Sequence, residues 1–209
     1  VDPREAVTIR AVVFDIGGVL EYADDESWLT SWSADLNLTP DELSARLGRV
    51  DPHGQITIGE WTEAQYVQRY RDVLGFPEED TERFVETMWD WYCGELDQQM
   101  FEFAANLRPA YRTAILSNSA DGARREEQAR YGFEQLVDEI VYSHEVGLAK
   151  PDSRIYDLTC RRLGVQPEEV AFLDDVPENV EAARAVGWHA LLHEDTPASI
   201  ATLEALLLS

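Results

Sequence analysis

Cysteine is scarce in this chain. Cys93 and Cys160 are the only two in 209 residues, too few and too far apart for a disulfide framework or a thiolate metal cluster. Long apolar runs are missing as well: none approaches the ~20 residues that a membrane-spanning helix needs. Positive charge is the third shortage. Lys and Arg total 17 against 41 Asp and Glu, a net charge of −24. That balance opposes nucleic-acid backbones and anionic membrane surfaces, so neither is expected as a partner. A phosphate ligand would need a local cation. The opening Val1-Asp-Pro-Arg-Glu lacks the basic-then-apolar order of a signal peptide, and a cytoplasmic protein is expected. There is no internal repeat and no low-complexity linker. His53, His144, His189 and His193 show no metal-ligand spacing; His53 falls in a turn-rich stretch that a substrate can reach.

Two textures divide what is present. The run Ala11-Val-Val-Phe-Asp15-Ile-Gly17-Gly18-Val-Leu20 reads as a buried parallel strand that delivers one Asp to the carboxyl edge of a sheet. From about residue 100, Ala114-Ile-Leu116, Ile140-Val-Tyr142, Val170-Ala-Phe-Leu173 and Ala190-Leu-Leu192 alternate with helical patterns, the texture of βαβ units. Residues 21–95 read as helices only. Trp28, Leu29, Trp32 and Leu36 keep helical spacing, Thr39-Pro40-Asp41-Glu42 is a capping box, and further helices are expected over Trp61–Leu74 and Glu78–Tyr92. The expected fold is therefore α/β: a doubly wound, Rossmann-like parallel sheet from residues 1–20 and 96–209, with an α-helical cap inserted over 21–95. Five of the six tryptophans lie in that insert, as bundle core and as a wall of a cleft facing Asp15.

Four features fall at strand ends: Asp15, Ser117-Asn118, Lys150-Pro151 and Asp174-Asp175. Each alone suits a cap or a turn. In a doubly wound sheet, adjacent strand ends converge on one crevice, and there one hydroxyl, one ammonium and three carboxylates would meet. Packed carboxylates repel unless a cation intervenes, and Mg²⁺ with oxygen ligands is the usual answer. Lys150 suits a phosphate oxygen, and Ser117 with the turn amides could hold another. The set describes phosphoryl chemistry with Asp15 as nucleophile.

Phe14-Asp15-Ile16-Gly17-Gly18-Val19, Leu116-Ser117-Asn118, Lys150-Pro151 and Phe172-Leu173-Asp174-Asp175 resemble the four motifs of the haloacid-dehalogenase-like hydrolases. The likeness spans the whole chain. It is most specific over 147–156 and 174–187, where the chain is similar to the small helical-cap phosphatases typified by bacterial glucose-1-phosphate phosphatase and the phosphatase domain of soluble epoxide hydrolase. The resemblance implies a Mg²⁺-dependent hydrolase of a small phosphorylated metabolite. It implies Mg²⁺ on Asp15, the Gly17 carbonyl and Asp175, with Asp174 behind them or as an alternative ligand. Ser117 and Lys150 would hold the phosphoryl group together with Gly17, Gly18 and Asn118, and Asn179 would orient Lys150 or the acidic pair.

Position 17 departs from that pattern. Most phosphatases of the family carry there the Asp that protonates the leaving oxygen, a function worth ~10²–10⁴-fold. Gly17 keeps a carbonyl and offers no acid. A sugar 1-phosphate, leaving as a hemiacetal oxygen, needs less help, and the glucose-1-phosphate phosphatase subgroup also has Gly here. Glu21, Asp24 and Asp25 are the candidate substitutes, Glu21 first. Two other readings use the same scaffold. One is a binding or regulatory protein with little turnover. The other is a 2-haloacid dehalogenase, for which an aromatic residue at 17 and an Arg within 16–30 would be expected; neither is present. Arg124-Arg125 reads as a helix-face pair. Oligomeric state is not legible.

Overall fold

The first apolar run becomes β1 (Ala11–Phe14), buried along its whole length. The structure, a computed structural model, describes residues 8–208; the N-terminal stretch read above and the side chain of Asp25 lie outside what is described. A two-residue strand, β2 (Glu21–Tyr22), leads into α1 (Asp25–Asp35), α2 (Pro40–Leu47), α3 (Glu63–Leu74) and α4 (Thr81–Cys93), and β3 (Glu95–Leu96) leads out. The chain then runs α5 (Gln98–Asn106), β4 (Arg112–Ser117), α6 (Ala123–Tyr131), α7 (Phe133–Leu136), β5 (Glu139–Tyr142), α8 (Ser143–Val146) and α9 (Ser153–Leu163). It ends with β6 (Val170–Asp174), α10 (Pro177–Ala185), β7 (His189–Leu192) and α11 (Thr196–Leu207). Among the described residues, no helix is long and apolar enough to cross a membrane.

The main sheet has the order β5-β4-β1-β6-β7, with every pair parallel. The chain builds one flank of β1 with β4 and β5, then crosses to build the other with β6 and β7. This is the doubly wound arrangement, and its switch point opens a crevice at the carboxyl ends of β1, β4 and β6. Alternation along β1 divides the core. Val12 and Phe14 pack with Met100, Phe133 and Leu203 on one face; Ala11 and Val13 pack with Ile155, Val180 and Trp188 on the other.

The helical segment has a separate core of Trp32, Leu43, Tyr66, Leu74, Phe84, Met88 and Trp89. Its helices begin where side chains can satisfy the first amides. Thr39 and Glu42 cap α2 reciprocally. The Gln65 side-chain oxygen Oε1 accepts from Thr62 N at 2.8 Å, which starts α3 at Glu63 and leaves Trp61 outside the helix. After Pro77 a 3₁₀ turn, Glu78–Asp80, precedes α4. β2 and β3 pair antiparallel, Glu21 with Leu96 and Tyr22 with Glu95, so the chain enters and leaves this segment side by side. Tyr131 ties the exit to the sheet domain by donating to Gly94 O at 2.5 Å.

Candidate active site

Each strand of the switch point ends at one of the expected site residues. Asp15 follows β1, Ser117 closes β4, Asp174 closes β6, and Asp175 is next to it. Lys150 comes from the loop before α9. It is the only lysine in the chain, and its side chain has no solvent exposure. Its Nζ lies 2.7 Å from Asp15 Oδ1 and 2.6 Å from Asp174 Oδ2. The Ile16 amide also donates to Asp15 Oδ1, at 2.8 Å. Both bonds to Asp15 fall on one oxygen, which leaves Oδ2 as the available one.

Asp174 is used up by its neighbours. Besides Lys150 it accepts from Val176 N at 2.8 Å and from Asn179 Nδ2 at 3.1 and 3.2 Å. Asn179 thus holds Asp174 of the acidic pair. The side chain of Asn118 faces the Lys150 main chain, donating to its carbonyl at 2.9 Å and accepting from its amide at 2.8 Å. A phosphate would meet Lys150 as placed by Asn118, with the Asn118 amide group itself already engaged.

Carboxylate oxygens of Asp15, Asp174 and Asp175 lie within 4.8 Å of one another. The Asp15 pKa is raised to about 7: burial lifts it most, Lys150 opposes the rise, and Asp174 adds to it. Asp175 is raised as well, by burial and then by Asp174. One ammonium does not balance three carboxylates, and a hard divalent cation with oxygen donors fits this set. Asp15 and Asp175 are the donors with room. Gly18 makes their approach possible: at φ +72°, a Cβ there would run into the Asp175 carboxyl. Gly17 has the opposite surroundings. A Cβ there would meet nothing within 4 Å.

Glu21 and Asp24 lie close in sequence to that open space. Asp24 caps α1, accepting from Ser27 N at 3.0 Å. Glu21 is only 2% exposed. It shares a buried region with Glu127 of α6, which is fully buried and accepts a hydrogen bond from Tyr142. Burial, then Glu127 and Asp15, lift the Glu21 pKa to about 10. Burial and Asp15 lift Glu127 to about 8, against the opposing Tyr142 bond. Glu21 Oε2 and Glu127 Oε1 are buried without a hydrogen-bond partner among the described residues. Glu127 was missed in the sequence; its four-residue spacing from the buried Ala123 was the available signal.

Arg124 pairs with Glu134 and Glu145, and Arg125 with Glu63 and Glu126. His193 lies 2.8 Å from the Tyr22 hydroxyl and 2.9 Å from Ser199 Oγ. His144 Nδ1 lies 2.7 Å from Ser119 Oγ, His53 is exposed and His189 half-buried.

A family model for haloacid dehalogenase-like hydrolases matches residues 9–187. Bifunctional epoxide hydrolase 2 of Sus scrofa is 31% identical over 95% of this chain, which spans 39% of that protein's length. D-ribitol-5-phosphate phosphatase of Bacteroides thetaiotaomicron is 23% identical, over 90% of this chain and 93% of the relative. Among solved structures, a haloacid dehalogenase family enzyme of the same bacterium, in complex with magnesium and inorganic phosphate, superposes with a TM-score of 0.77. The two share 21% identity, with 89% of this chain and 94% of the other covered.

Proposed function

Because the chain belongs to the haloacid dehalogenase-like hydrolases, we propose that it is a Mg²⁺-dependent phosphomonoester hydrolase acting on a small phosphorylated metabolite such as a sugar phosphate. The observation that carries this reading is the buried Lys150 bridging Asp15 and Asp174, with Asp175 alongside. Asp15 Oδ2 attacks phosphorus, the P–O bond to the leaving group breaks, and the leaving oxygen departs with the electron pair. Water then attacks the aspartyl-phosphate, releasing inorganic phosphate and restoring the Asp15 carboxylate. Lys150 Nζ, the Ser117 hydroxyl and the turn amides hold the non-bridging oxygens. Asp15, Asp175 and the Gly17 carbonyl, with Asp174 behind them, would hold Mg²⁺, which when bound neutralises phosphoryl charge. Cap residues facing the crevice would select the substrate.

Gly17 narrows the leaving group. No carboxyl stands at that position, and a side chain there would meet nothing within 4 Å. Substrates whose leaving oxygen departs with little protonation are therefore favoured, anomeric phosphates among them. Gly17 also supports a second reading, a binding or regulatory protein with little turnover. A dehalogenase is disfavoured by the three clustered carboxylates and by the lack of an aromatic side chain at 17.

A phosphate-release screen over sugar phosphates, nucleotides, lipid phosphates and glycolytic intermediates, with and without Mg²⁺, tests the proposal. Release that needs Mg²⁺ and is abolished in Asp15→Asn is the expected result. Folded wild-type protein that releases phosphate from none of them supports the binding reading instead, and metal-independent halide release supports the dehalogenase.

A further inference from the structure

We infer that Asp121 and Ser143 are positioning residues that couple docking of the helical cap to the geometry of the Ser117-Asn118 turn. Neither belongs to the strand-end motifs. Ser143 is fully buried at the end of β5, beside β4. Its Oγ accepts from the Ser119 amide at 2.8 Å and donates to the cap carbonyl of Thr57 at 2.7 Å. A hydroxyl has one proton to give, so one side chain joins the cap loop to the turn, two residues from Ser117. Asp121 does the same from the other side. Its carboxylate accepts from the Glu63 amide at 2.8 Å, and its carbonyl accepts from the Tyr66 hydroxyl at 2.7 Å. Glu63 is the first residue of α3. The sheet domain thus supplies an acidic partner to the N-terminus of a cap helix, where carboxylate and helix dipole attract.

Close packing at two glycines fixes the same contact. A Cβ on Gly59 of the cap would collide with the His144 carbonyl, and one on Gly122 would collide with the Trp89 ring. The cap therefore bears on Asp121 and Gly122 from α3 and α4, and on Ser143 and His144 from its loop. With the cap docked, the segment after Ser117 is held at both Ser119 and Asp121. With the cap away, the Ser119 amide loses a relay and Asp121 loses two donors. The segment that follows Ser117 is fully braced only with the cap docked, which ties the turn's geometry to docking.

The catalytic half of this inference rests on the phosphatase reading; the mechanical half does not. Hydrogen exchange of the whole protein, followed by mass spectrometry of peptides covering 117–122, reads the coupling without turnover. Tyr66→Phe removes one cap hydroxyl and touches no reacting group. It should speed exchange in 117–122 about fivefold, the equivalent of one neutral hydrogen bond. Asp121→Asn and Ser143→Ala should do so at least as strongly. In the kinetic arm, Tyr66→Phe should weaken inhibition by inorganic phosphate and lower kcat/KM by the same factor, while the pH profile stays fixed. Exchange in 117–122 that is unchanged in Tyr66→Phe overturns the inference, as does faster exchange with unaltered phosphate inhibition and kcat/KM. Should Ser143→Ala not fold, Tyr66→Phe and Asp121→Asn carry the test. Altered exchange in a protein that hydrolyses no phosphoester would sink the phosphatase reading and leave the coupling standing.

Discussion

Gly17 and Gly18 are neighbours with opposite tolerances. A side chain on Gly18 would enter the Asp175 carboxyl at a left-handed φ of +72°. Gly18→Ala should therefore displace Asp175 and raise the Mg²⁺ concentration for half-maximal activity tenfold or more, which metal titration of turnover would show. Gly17 has open space and an ordinary backbone. Gly17→Asp should fold with a Tm close to wild type and speed hydrolysis of an alkyl phosphate by up to ~10²-fold, as expected for a gained general acid. The gain on a glycosyl 1-phosphate should be smaller. Equal, negligible effects on both would mean that another group already supplies the proton. Glu127 makes a different prediction. Its pKa is raised from 4.5 to about 8 by burial and Asp15. For such a carboxyl the folded state holds its proton while the unfolded state loses it. Stability is therefore fully present below pH 4.5 and is lost as pH rises toward 8. Glu127→Gln should flatten that decline. A gain at pH 8 of about 1–2 kcal/mol, or about 2–8 °C in Tm, is expected, with little change at pH 4.5. Thermal melts at the two pH values check it.

At the scale of elements, the helical cap stands on its own aromatic core. Trp32 is buried against Phe76 and Phe84 and donates to Thr87 Oγ1 at 2.9 Å. Trp32→Ala should cost about 3–5 kcal/mol of cap stability. Calorimetry should show cap melting separate from, or ahead of, the sheet domain. The elements most legible in the sequence were those with strong local signals. Each expected apolar run forms a strand, because a buried parallel strand needs a short apolar stretch and little else. Thr39 announced α2 through its capping box. The two-residue strands β2 and β3 gave no such signal, since their pairing joins residues 21 and 96. The site divides the same way. Asp15, Ser117 and Asp174 could be placed because strand ends carry them, whereas Lys150, expected at a strand end, comes from the loop between α8 and α9. The grip of Asn118 on the Lys150 backbone, the inward turn of Glu21 and the reach of Asp121 to α3 depend on segments that meet only in three dimensions.

Over the whole molecule, charge works against the proposed substrate. A net charge of −24 repels a phosphate dianion at range, and the cationic Lys150 is buried between Asp15 and Asp174. Electrostatically steered enzymes slow down as salt is added; this one should speed up. Raising ionic strength from 0.01 to 0.15 M, which shortens the Debye length from about 30 to about 8 Å, should lower KM at fixed free Mg²⁺, as initial-rate kinetics would show. The solitary, fully enclosed lysine has a further consequence for handling the protein. Amine-directed reagents, whether acylating labels, fixatives or surface-coupling chemistries, find no internal lysine on the exterior of these 209 residues. Any acyl group that does arrive on Lys150 reports that the crevice has opened, so a residue-specific modification rate becomes a clock for that opening.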